Sequence, residues 1–102
     1  MTYKLFIDDE REPIGDDWVI CRTSEEARRV ILSRGLPVFV SFDHDLGGTD
    51  TSMVFLHWLI DYMLDNNLTF PPEFSYGVHS QNPVGVKNIR GLLDSFIRVC
   101  LV

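Results

Sequence analysis

Short apolar runs alternate along the chain with segments of helical periodicity, and the alternation predicts the element order β-β-α-β-α-β-α. Tyr3 to Ile7 reads as a buried strand. The turn-rich stretch from Asp8 to Asp17, with Pro13 and Gly15, separates it from a second strand over Trp18 to Cys21. Thr23 or Ser24 then caps a helix with Glu25 and Glu26 in its first turn and Ala27, Val30 and Ile31 on its apolar face. Gly35 and Pro37 close that helix. Val38 to Phe42 is a third strand. After the loop Leu46-Gly47-Gly48-Thr49-Asp50, Thr51 or Ser52 caps a long helix that ends near Asp65. This helix is apolar on most of its circumference, so it is expected to pack on more than one side. The Pro71-Pro72 break precedes a fourth strand over Phe74 to Val78. Asn82 as cap and Pro83 at the first helical position open the last helix, whose stripe is Val86, Ile89, Leu93, Phe96 and Cys100. Right-handed crossovers between such units give an α/β fold with a four-stranded parallel sheet of order 2-1-3-4, one domain over residues 1–102.

Three polar runs follow directly on three of these strands: Asp8-Asp9-Glu10-Arg11, Asp43-His44-Asp45 and His79-Ser80-Gln81-Asn82. Parallel strands open their carboxyl ends on one edge, where open α/β sheets place ligands. The four aspartates Asp8, Asp9, Asp43 and Asp45, two imidazoles, a guanidinium and a hydroxyl would converge there. Like charges held that close must be neutralised by a cation or by protons, so the pattern points to metal binding or catalysis.

Composition narrows the partners. A net charge of −6 argues against binding along a nucleic-acid backbone, which requires clustered lysine and arginine. A phosphate-bearing ligand must then be small, or be met by a metal and a few placed donors. Cys21 and Cys100, the two cysteines, lie in apolar surroundings and read as reduced core thiols in a reducing compartment. No signal peptide is evident, and no apolar run approaches the ~20 residues of a membrane span, so a cytoplasmic protein without a membrane partner is expected.

The motifs Asp8-Asp9-Glu10-Arg11-Glu12-Pro13, Asp43-His44-Asp45-Leu46-Gly47 and His79-Ser80-Gln81-Asn82-Pro83-Val84-Gly85 resemble those of the receiver-like family described as cyclic-phosphate processing. That family is a divergent relative of response-regulator receiver domains, and the resemblance covers nearly the whole chain. It implies a small flavodoxin-like, three-layer fold, truncated relative to a true receiver, acting on cyclic phosphates or related nucleotide derivatives. Two departures from true receivers disfavour a phosphoacceptor switch. A loop from Glu10 to Asp17 stands where their first helix lies, and the chain ends before a fifth strand and its lysine; Lys87 lies inside the last helix. Ser80 does match the hydroxyl at the end of the fourth receiver strand.

Each residue type carries its own chemistry. Asp8, Asp9 and Asp43 offer hard oxygen ligands suited to Mg2+ or Mn2+, and Asp45 either joins them or caps the Leu46-Gly47 turn. His44 and His79 would act as general acid and base, or complete a Zn2+ or Mn2+ site. His57, mid-helix, is expected to be structural. Arg11 is a phosphate clamp or a surface partner of Glu10 or Glu12. Asn82 opens a helix whose amino terminus favours an anion, and Gly47 with Gly48 lets a loop pass close to a ligand or simply permits a turn. With Asp43, His44, His79 and Ser80 as the catalytic group, the leading expectation is metal-dependent opening of a cyclic phosphodiester on a small nucleotide-type ligand. A sequestering module without turnover and a degenerate receiver acting through protein contacts are the alternatives. Val99, Cys100, Leu101 and Val102 pack either on the core or on a second subunit, which leaves the oligomeric state open.

Overall fold

The computed structural model describes residues 2–99 in full and the backbone of Cys100. The expectations for Leu101, Val102 and the Cys100 thiol therefore lie outside the described residues. The elements are β1 (Lys4–Ile7), β2 (Trp18–Cys21), α1 (Ser24–Arg34), β3 (Phe39–Phe42), α2 (Ser52–Asp65), β4 (Ser75–Val78) and α3 (Pro83–Cys100). The sheet is parallel throughout, with order β2-β1-β3-β4. Three strands begin one residue later than their apolar runs, because Tyr3, Val38 and Phe74 lie just before the paired segments.

Successive strand residues face opposite sides of a sheet. Leu5, Ile7, Val40, Phe42 and Cys21 share one side and are almost fully buried against Ala27 and Ile31 of α1, Phe55, Leu56, Leu59 and Met63 of α2, and Ile89, Leu93 and Phe96 of α3. α2 lies between α1 and α3 and above the sheet, which accounts for its broad apolar circumference. Thr23 caps α1 by accepting from the Glu26 N–H, and the Asp50 carboxylate accepts from the Ser24 N–H at 2.8 Å, tying α1 to the loop before α2. Thr51 occupies the N-cap of α2 without a side-chain bond, and the Ser52 hydroxyl donates to the Asp43 carbonyl.

The opposite side of the sheet carries Phe6, Trp18, Phe39 and Ser41. Phe6 and Trp18 meet edge to face, as do Trp18 and Phe39. Among the described residues no helix covers this side. The expected three layers are thus corrected to two layers plus the loop 8–17, which reaches over Phe6 and Trp18 with Pro13 and Ile14. Val99 is 72% exposed, so it does not pack on the core. Among the described residues no helix is long and apolar enough to cross a membrane.

Candidate acidic site at the carboxyl edge of the sheet

Backbone hydrogen bonds continue the ladder one residue past the strands. The Asp8 N–H donates to the Cys21 carbonyl, the Asp43 N–H to Ile7 and the His79 N–H to Phe42. This continuation sets the Asp8, Asp43 and His79 backbones side by side, as the parallel reading requires.

Asp8 is fully buried. Its Oδ1 accepts from the Glu10 and Arg11 N–H groups at 2.9 and 2.8 Å, and its Oδ2 accepts from His79 Nε2 at 2.8 Å. Burial pushes the carboxyl up, but the donated hydrogen bonds from Arg11, Glu10 and His79 outweigh it, so Asp8 titrates below the usual carboxylate range. Asp43, only partly buried, goes the other way. Burial and the neighbouring Asp8 charge raise it, and His79, Ser80 and Arg11 offset only part of that. Asp8, Asp9 and Asp43 each bring one carboxylate oxygen to within 4.8 Å of the others.

The donor set fits a hard divalent cation. All three groups are carboxylates, the Asp8 oxygens retain lone-pair capacity beyond the three bonds they accept, and the site opens to solvent through Asp9 and Asp43. Zn2+ fits less well, since the imidazoles expected to join it are engaged elsewhere. His79 Nε2 is held by Asp8 and its Nδ1 by the Ser41 hydroxyl at 2.7 Å, while its ring stacks on Phe6 with centroids 4.7 Å apart. An imidazole pinned this way orients a carboxylate.

A crevice of about 390 Å³ lies over the carboxylates, lined in part by Asp9, Arg11, Asp43, Asp45, Ser80 and Asn82. Six residues expected from sequence therefore share one hollow. Arg11 donates from one terminal nitrogen to the His79 carbonyl at 2.9 Å, and its Nε lies 4.0 Å from Asp8 Oδ2. It pairs with neither Glu10 nor Glu12, because Arg22 takes Glu12 and also donates to the carbonyls of Asp8 and Arg11. Ser80 Oγ accepts from the Asn82 N–H, and Asn82 Oδ1 caps α3 through the Gly85 N–H at 3.0 Å.

Three expected site residues take other positions than expected within or beside the crevice. His44 is not among the residues lining the crevice; its ring lies against α3, where a Cβ on Gly85 would come within 2.4 Å of it, and its Nδ1 is bonded to Asp45, a structural contact rather than the acid or base role expected. Asp45 lines the crevice but stands outside the three-carboxylate group. It accepts from His44 Nδ1 at 3.1 Å and Asn82 Nδ2 at 3.4 Å, which hold it below the usual range and join the loop after β3 to the start of α3. Gly47 forms a turn at φ +93° beside Asp9. His57 and Lys87 are exposed on α2 and α3.

Sequence reasoning missed Arg22, Ser41 and Gly85. Arg22 had a signal, because it follows a strand that ends on the same edge. Ser41 and Gly85 had none, since their roles depend on which way two histidine rings turn.

A family model described as a cyclic-phosphate processing receiver domain matches residues 3–95. No curated protein matches the chain.

Proposed function

The chain belongs to the cyclic-phosphate processing receiver family, and from that membership together with the converging carboxylates we propose that it opens a cyclic phosphodiester on a small ligand. The observation that carries this reading is the meeting of Asp8, Asp9 and Asp43 within 4.8 Å beneath an open crevice. These three residues would hold Mg2+ or Mn2+. The bound cation would neutralise their repulsion and polarise a phosphoryl oxygen as a Lewis acid.

Arg11 keeps guanidinium N–H groups beyond the one bound to His79, and these would grip phosphate oxygens as a planar fork. The amino terminus of α3 adds its dipole on the same side. In the reaction one phosphorus–oxygen bond of the ring breaks, a bond from water replaces it, and a proton reaches the departing oxygen. Asp43 would accept the proton from the attacking water through the carboxylate oxygen that is not turned to the cation. Ser80, beside Asp43, would orient that carboxylate. His79 would hold Asp8 in place.

One observation favours a second reading, sequestration without turnover. Neither imidazole is placed to serve as a free acid in the crevice. The deciding experiment incubates the protein with cyclic mono-, di- and oligonucleotides and with other cyclic phosphates, in Mg2+, Mn2+ or chelator, and follows products by phosphorus NMR. Cation-dependent ring opening that is lost in Asp43→Asn supports the proposal. Ligands that bind yet stay intact would replace it with the sequestering module.

A further inference from the structure

A second hollow, about 360 Å³, opens on the uncovered side of the sheet and meets the acidic crevice at Arg11, which lines both. Its walls differ sharply from those of the crevice. Phe6, Ile14 and Trp18 supply apolar surface, and Ser41 and His79 form its polar end. The indole of Trp18 is fixed by donating from Nε1 to the Ile14 carbonyl at 3.2 Å, and Lys4 Nζ sits 4.5 Å from its ring centroid. Ile14 is 98% exposed at the rim.

We infer that this groove receives a planar heteroaromatic group carried by the same ligand whose cyclic phosphate enters the crevice, making the substrate class a nucleoside cyclic phosphate. The inference rests on the phosphate reading above for what tethers the ligand. Three features favour this occupant. The buried Phe6 floors the groove, and the partly exposed Trp18 and Pro13 beside it offer apolar surface for a heterocycle, which stacks on aromatic and apolar side chains. The Ser41 hydroxyl, 2.7 Å from His79 Nδ1, keeps at least one oxygen lone pair for a ring N–H or amino donor whichever of the two donates. The groove also descends from the His79 edge to Trp18, which pairs in register with Lys4, three residues below Ile7. The His79 edge itself lies level with Asp8, one residue further, so the span is about 13 Å along the strand, room enough for a mononucleotide. A larger hollow of about 630 Å³, lined by Tyr3, Lys4, Arg34 and Val38 among others, lies at the opposite ends of the strands and does not adjoin the crevice.

The test compares adenosine 2′,3′-cyclic phosphate, ethylene glycol cyclic phosphate and adenosine as probes, each with Mg2+ and with chelator. Binding is followed by nitrogen-edited NMR of the indole N–H groups, with Trp58 on α2 as internal reference. The nucleoside cyclic phosphate is expected to move the Trp18 signal and leave Trp58 unmoved. It should also bind at least about tenfold more tightly than the base-free compound. Ile14→Ser, at a side chain that is 98% exposed and outside the core, should erase that advantage. Equal affinities with an unmoved Trp18 signal would overturn the groove assignment and leave the phosphodiester reading standing. If adenosine alone moved Trp18 and neither cyclic phosphate bound more tightly than adenosine, the phosphodiester reading would fail and the groove would remain a nucleoside site.

Discussion

Asp8 and Asp43 end adjacent strands with the same side chain and titrate in opposite directions. The difference is hydrogen bonding: Asp8 has three donors, whereas Asp43 faces the negative charge that those donors stabilise. Asp43→Asn should therefore raise metal-free stability at neutral pH, by about 0.5–1 kcal/mol once solvent screening is allowed for, while abolishing cation binding. Asp43, with its raised folded value, contributes stability that is present below its unfolded pKa of about 3.9 and is lost as pH rises through the folded value. The advantage of the variant in thermal melts with chelator should thus vanish near pH 3 and grow above pH 4. A constant gap would show that repulsion is not its cause. Asp8 has the reverse sign, since its stability is present above the unfolded pKa and lost as pH falls through the lowered folded value. Asp8→Asn should cost about 2–3 kcal/mol at neutral pH, because an amide nitrogen would face His79 Nε2 in a buried site. A change under 1 kcal/mol in urea unfolding would refute that account. Most crevice residues were legible because parallel strand ends must open on one edge. The placement of His44 was not, since nothing in the sequence says on which side of its loop the ring packs.

Among the elements, α3 depends on a contact between two sequence motifs. The His44 ring fills the space where a side chain at Gly85 would lie, and Gly85 is buried in the first turns of the helix. Glycine inside a helix normally costs roughly 0.5–1 kcal/mol relative to alanine. At Gly85 the sign should reverse: alanine would overlap the ring, and Gly85→Ala should destabilise by about 1–3 kcal/mol. Gly91 in the same helix is exposed, with nothing within 4 Å of an added Cβ, so Gly91→Ala should stabilise by about 0.5–1 kcal/mol. Urea melts of the two variants supply the comparison, and equal shifts of one sign would show that His44 does not fix the position of α3. Strands and helices could be read from periodicity and caps because those signals are local. The layer count could not. Whether the loop 8–17 lies flat on Phe6 or projects into solvent depends on Arg22, which grips the carbonyls of Asp8 and Arg11 and the Glu12 carboxylate from the residue just past β2.

On the scale of the whole molecule, a chain of net charge −6 concentrates repulsion at one edge of its sheet, and a cation bound there should stabilise the entire fold. A ligand that binds only the folded state adds RT ln(1 + [L]/Kd), about 2.7 kcal/mol at a hundredfold excess over Kd. Cys21 offers a direct gauge. It is 1% exposed in the core shared by sheet and helices, and burial, followed by the nearby Glu26 charge, pushes its thiol up to about 11. Alkylation at neutral pH therefore requires the core to open first, because the thiolate is the reactive form and the folded protein hides it. Under conditions where reclosing outpaces alkylation, saturating Mn2+ should slow modification of Cys21 by about a hundredfold, since 2.7 kcal/mol is nearly two decades in the open population. Peptide mapping separates Cys21 from Cys100, and Asp43→Asn should show no such protection. Sodium chloride at matched ionic strength should slow labelling far less, because screening softens repulsion without supplying coordination. Equal protection by sodium and manganese would mean that the carboxylates form a diffuse acidic surface, and the metal assignment would fall with that result.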